Sequence, residues 1–69
     1  MKTIAEIQKE TFAHVFTSAQ FKFEVEVGNF IPYDGVGYFH DGENETDYCV
    51  WACDEKDFEK YPYVIWYNR

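Results

Sequence analysis

The spacing of apolar and polar positions divides the chain into successive elements. Ile4, Ile7, Thr11, Phe12, Val15 and Phe16 recur at helical spacing, with Lys2, Glu6, Lys9 and Glu10 mostly on the opposite side. Thr3 followed by Glu6 has the form of a capping box, in which two otherwise free N–H groups at a helix start are satisfied reciprocally. A helix is therefore predicted from about Ile4 to Thr17. A strand competes for its second half, because Phe12, His14 and Phe16 also alternate with Ala13, Val15 and Thr17 ahead of a turn at Ser18-Ala19-Gln20. Next, Phe21, Phe23, Val25 and Val27 alternate with Lys22, Glu24 and Glu26. That is the pattern of a half-buried antiparallel strand with one wet face, ended by Gly28-Asn29.

Pro32, Asp34 and Gly35 mark a turn-rich connection into a strand over Val36–His40. Gly35 and Gly37 leave one face of that segment bare, as expected at a bulge or where a ring or another backbone comes close. Asp41-Gly42 lies in a polar stretch between two runs of aromatic and β-branched residues, which predicts a β-hairpin. Its return strand spans Asp47 to Ala52, with Tyr48, Val50 and Ala52 on one face and Cys49, Trp51 and Cys53 on the other. Both faces are apolar, which predicts a central strand. Asp54 to Lys60 is a charged connection with room for one helical turn, broken at Tyr61-Pro62. Tyr63–Tyr67 is the last strand. The fold class that follows is α+β in a single domain over residues 1–69: one N-terminal helix packed on a small curled antiparallel sheet of about four strands. The helix is expected to cover Phe21, Phe23, Val25 and Val27.

Size and composition sharpen this picture. A chain of 69 residues falls just short of the ~70–80 residues below which one core rarely stabilises a fold unaided. This one carries seven Phe, six Tyr and two Trp. So many rings do not all fit inside so small a body, so part of the set should form a contact surface for a second copy or another protein. The net charge of −7 is uneven: residues 1–22 carry +1, residues 23–59 carry −10 and residues 60–69 carry +2. An acidic middle repels phosphates and anionic lipid, which argues against direct nucleic-acid or membrane binding. The expected partner is the basic surface of a larger, nucleic-acid-binding protein. Met1-Lys2 is followed by no apolar run of signal-peptide type, so a cytoplasmic location and reduced cysteines are expected.

Four groups of residues bear on chemistry. Asp41, Glu43, Glu45 and Asp47 occupy every second position, so an extended chain would point them one way at ~6.5–7 Å intervals, close to phosphate spacing along a nucleic-acid strand. Glu24 and Glu26 form a similar pair, and Asp54, Glu55, Asp57 and Glu59 a third patch. Such a surface imitates a phosphate backbone; its structural alternative is a solvated hairpin tip that blunts a sheet edge. The acids also resemble a calcium loop, but Thr46 and Ala52 stand where an EF-hand needs Gly and Glu. Cys49 and Cys53 would lie ~13 Å apart on a strand, too far for a disulfide, and their spacing with no second pair does not make a zinc site. Cys49 opposite His40 is a conceivable nucleophile and base, without a third orienting group. No catalytic, metal or cofactor residues are assigned.

Among the aromatic residues, Tyr48, Trp51 and Trp66 are the expected anchors beside the acids. The expected function is a non-enzymatic inhibitor that occupies a basic groove. The alternative is an accessory subunit or homodimer whose last strand pairs edge to edge. In size, charge and aromatic content only, the chain resembles phage-borne inhibitors that imitate nucleic acid against restriction or CRISPR machinery. That likeness implies action in the cytoplasm of a bacterial host.

Overall fold

A computed structural model describes all of residues 1–69. In chain order the elements are α1 (Ile4–Gln8), β1 (His14–Thr17), α2 (Ser18–Glu26), β2 (Gly35–His40), β3 (Glu45–Cys49), a 3-10 turn (Val50–Ala52), α3 (Asp57–Lys60) and β4 (Tyr63–Asn68). The four strands form one open sheet in the order β1-β4-β2-β3, and every neighbouring pair is antiparallel. The fold class is the α+β arrangement read from the sequence, with an N-terminal helix and a small antiparallel sheet. Two segments nevertheless exchange identities.

The N-terminal helix is one of them. Its capping box forms: the Glu6 N–H donates to Thr3 Oγ1 at 3.2 Å, and the Thr3 N–H donates to the Glu6 carboxylate at 3.0 Å. The helix ends after Gln8 rather than at Thr17. The Gln8 side chain turns to the following segment, donating to the Ala13 carbonyl at 2.7 Å and accepting from the Val15 N–H at 3.2 Å. Residues 14–17 then pair with β4, His14 opposite Trp66 and Thr17 opposite Tyr63. The competing strand pattern of Val15, Phe16 and Thr17 therefore prevails over the helical one, because β4 offers it a full ladder.

The second exchange is α2. Phe21–Val27, expected as the clearest strand, is helical up to Glu26. Thr17, at the end of β1, accepts the Gln20 N–H at 3.1 Å and so caps the helix start. Residues four apart then support one another: Gln20 donates to Glu24 at 2.9 Å, and the Lys22 ammonium lies 4.0 Å from Glu26. The alternating pattern leaves no apolar stripe at helical spacing. Phe21 is wholly buried, whereas Phe23 and Val27 stay more than half exposed. Burial of one ring outweighs two left in water.

Register assigns the faces of the sheet. Phe39 pairs with Val64 and Gly37 with Trp66, so these residues share one face. There Phe21, Phe39, Val50, Val64 and Trp66 form the main core, with Phe16, Phe30 and Phe58 packed against it. Phe21 stacks on Phe30 at 4.9 Å between centroids and meets Trp66 at 5.6 Å. The bare face expected at Gly35 and Gly37 is filled from the core: a Cβ at Gly35 would strike the Trp66 ring, and one at Gly37 would press on Val50 and Val64 at 3.0 Å. Ile65 and Tyr63 point to the other face, where Ile7 of α1 packs and the Tyr63 hydroxyl donates to the Lys2 carbonyl at 2.7 Å.

The hairpin after β2 forms, but its return strand is displaced. β3 begins at Glu45 and lies at the sheet edge, not the centre, and Val50–Ala52 is a turn of 3-10 helix. Both faces of this segment are apolar because the turn folds Val50 and Trp51 down onto the core. β4 is the central strand, flanked by β1 and β2. No helix is long and apolar enough to cross a membrane.

Candidate protein-binding surface

The acids between Asp41 and Asp47 do not form one extended ladder. Asp41 and Glu43 sit in the hairpin turn, where the Asp41 carboxylate accepts the N–H groups of Glu43 and Asn44, both at 2.8 Å. These bonds, the one from Asn44 first, hold the Asp41 carboxyl below its ordinary range. Glu43 faces the N-terminal ammonium at 3.1 Å. Glu45 accepts the Tyr67 hydroxyl at 2.6 Å. Burial, and then this bond to Glu45, push the Tyr67 phenol up to about 12. Asp47 is exposed on β3, and its side chain has no hydrogen bond or ion pair with the rest of the chain.

Glu24 and Glu26 were expected side by side on a strand. On α2, two positions are about 200° apart around the axis, so they point to different sides. Glu24 is occupied by Gln20 and, at 2.6 Å, by the Asn29 amide. Glu26 turns toward Lys22, whose ammonium also lies 3.1 Å from Glu55. One lysine thus links α2 to the segment before α3.

Tyr48 links that segment to the sheet edge. Its hydroxyl donates to the Asp57 carboxylate at 2.8 Å, and the other contact of the same carboxylate is the Asp54 N–H at 2.9 Å. The bond to Asp57 is the main cause that pushes the Tyr48 phenol up to about 12. β3 and α3 are thereby fixed beside each other. Asp54, Glu55, Asp57 and Glu59 belong to the segment that Tyr48 ties down, and Glu26 is joined to it through Lys22; Glu45 instead opens on the α1 side of the sheet, with Lys2, His40 and Ile65. Asp54 and Glu59, like Asp47, have side chains with no internal partner.

The expected anchors separate. Trp66 is 2 % exposed, with its indole N–H on the Asn68 side chain at 2.9 Å, so it belongs to the core and is removed from the contact set. Its alternation on a terminal strand gave no sign that the strand is central. Tyr48 is half-buried between Phe39 and Tyr61. Trp51 is also half-buried; its indole N–H donates to the Gly35 carbonyl at 3.0 Å. Val25 and Phe58, which the sequence reading did not single out, lie with Trp51 along one groove. A helical reading of Phe21–Val27 would have set Val25 one turn beyond Phe21, on the packed side of α2; nothing in the sequence marked Phe58.

Thiol and imidazole groups do not assemble into a pair. Cys49 stands opposite Tyr38, while His40 stands opposite Glu45 and accepts the Gly42 N–H at Nδ1, 3.0 Å. Both cysteines are free. Each serves the 3-10 turn: Cys49 Sγ accepts the Trp51 N–H, and the Cys53 thiol donates to the Val50 carbonyl. Burial holds the Cys53 thiol above its ordinary pKa, against reactivity. No group of His, Cys, Asp and Glu is arranged to hold a metal ion.

Compared with known proteins, the chain matches no family model, no curated protein and no solved structure.

Proposed function

We propose that this chain is a small acidic binding protein that docks the edge formed by β3 and α3 onto the basic surface of a larger, nucleic-acid-binding protein, and so inhibits it. The observation that carries the reading is the charge along this edge. Asp47 on β3 and Asp54 and Glu59 in the segment around α3 are exposed and have no internal hydrogen bond or ion pair, and the Tyr48–Asp57 bond ties the strand to that segment. Exposed carboxylates that hold no internal hydrogen bond attract a cationic surface. Glu43 and Glu45 contribute charge but also hold the N-terminus and Tyr67, so they are poor positions for a clean test.

Competition provides that test. Basic nucleic-acid-binding proteins, restriction and CRISPR complexes first by the analogy of size and charge, are assayed for duplex binding with and without this protein. The protein should displace the duplex. The triple variant Asp47→Lys, Asp54→Lys, Glu59→Lys should fold normally by circular dichroism and lose that effect. Equal displacement by the variant would refute the reading.

A homodimer through the last strand lacks a free edge, because β4 is paired on both sides. Of the two outer strands, β1 has its outward Val15 N–H and Ala13 carbonyl occupied by Gln8. The other, β3, presents Glu45 and Asp47.

A further inference from the structure

His40, the last residue of β2, is 3 % exposed, and the docking reading makes no use of it. Its Nδ1 accepts the Gly42 N–H at 3.0 Å. A ring nitrogen that accepts a hydrogen bond carries no proton, so the neutral ring bears its proton on Nε2. Gly42 in turn holds the start of the chain. Its carbonyl accepts the Lys2 N–H at 2.7 Å, the Met1 side chain packs over it, and the N-terminal ammonium lies 3.1 Å from the adjoining Glu43. The charged and titratable groups around the ring come from every neighbouring element. Glu45 stands opposite on β3, Asp41 and Glu43 lie in the turn, Lys2 and Glu10 flank α1, and the Tyr63 ring of β4 meets the imidazole at 6.1 Å. Carboxylates outnumber cations in this set, so a positive ring has partners at hand.

We propose that His40 is a proton-operated latch on the hairpin tip, closed when its ring is neutral and open when its ring is charged. The second proton goes to Nδ1, which then becomes a donor facing the Gly42 N–H, another donor. The two cannot bond, so Gly42 is released, and the anchor of Met1 and Lys2 goes with it. The charged ring turns to Glu45 and the neighbouring carboxylates. The proton arrives from solvent through the open cavity of about 280 Å³ that His40 lines with Lys2, Glu10 and Glu45. The closed form is therefore favoured at higher pH and is lost as the pH falls through about 8 to 5, the range in which histidine changes charge. A histidine buried merely as a flat ring would not couple its charge to a backbone bond. The latch is independent of the docking reading.

NMR of the intact protein between about pH 8 and pH 5 tests it. The ring-nitrogen shifts of His40 report its tautomer and charge, with exposed His14 as the reference. At the upper end His40 should be neutral with its proton on Nε2. As the ring becomes charged, the protection of the Gly42 and Lys2 amides from solvent exchange should fall together by at least about tenfold, while that of Ile65 on central β4 stays constant. His40→Asn places a carboxamide oxygen where Nδ1 lies and does not titrate, so both amides should stay protected throughout. A proton on Nδ1 at the upper end, or a ring still neutral at the lower end, would overturn the latch. So would a charged ring with Gly42 still protected, a loss shared by Ile65, or a folded Asn variant that loses protection as the wild type does. Should that variant not fold, the wild-type series decides alone.

Discussion

Single residues decide where the chain departs from its own pattern. Gly35 lies under the Trp66 ring and against the Tyr67 carbonyl, so there is no room for a side chain. Gly35→Ala is expected to cost about 1–3 kcal/mol, measured by urea unfolding, because the core must shift to admit a methyl group. Gly42 has a backbone φ of +101°, which favours glycine, and Met1 packs over it. The tyrosines report on the lock between β3 and α3. The Tyr48 phenol is raised to about 12 in the folded protein, so the Asp57 bond contributes fully below the ordinary tyrosine pKa and is lost as the pH rises through about 12. An ultraviolet titration should show two phenols, Tyr48 and Tyr67, ionising near 12. Tyr48→Phe should remove one of them; an unchanged count would break the assignment.

At the scale of elements, sequence and structure part where one pattern serves two conformations. The hairpin was legible because Asp41-Gly42 and its flanking runs name a turn by local chemistry. The capping box was legible for the same reason. Phe21–Val27 was not, because strict alternation describes a strand while Thr17, Gln20 and Lys22 supply a helix cap and helical pairs. Tertiary packing settled it: one ring, Phe21, is worth more inside than alternation is along a sheet. Paired substitutions test that directly. Phe21→Ala is expected to cost about 3–5 kcal/mol and Phe23→Ala well under 1.5 kcal/mol, since the helix turns them to opposite sides. Similar costs for the two would restore the strand. Gln8 is the other element-level device. Gln8→Ala would uncover the outward Val15 N–H and Ala13 carbonyl of β1. Its expected results are a loss of about 1 kcal/mol and concentration-dependent association seen by light scattering, because an open strand edge templates pairing. A strictly monomeric variant would show that the edge is guarded by something else.

For the whole molecule, the balance of charge was readable from the sequence, but its display was not. The count of acids in the middle of the chain gave the expectation of a cationic partner. Which acids remain free depended largely on long-range contacts: Tyr67 reaching Glu45, the N-terminus reaching Glu43 and Lys22 reaching Glu55. The acids left without an internal partner are Asp34, beside Arg69, and Asp47, Asp54 and Glu59 on β3 and around α3, the two elements that Tyr48 ties together. The docking proposed above would be screened by salt, so its strength would depend on ionic strength in a way that apolar docking does not. The deciding measurement is the affinity for a partner found by duplex competition, taken across a salt series from ~0.05 to ~0.5 M, for the wild type and for the Asp47→Lys, Asp54→Lys, Glu59→Lys variant. The account predicts a steep fall with salt for the wild type and weak, nearly salt-independent binding for the variant. A wild-type affinity that stays flat across the series, or a variant that follows the same steep line, would contradict it.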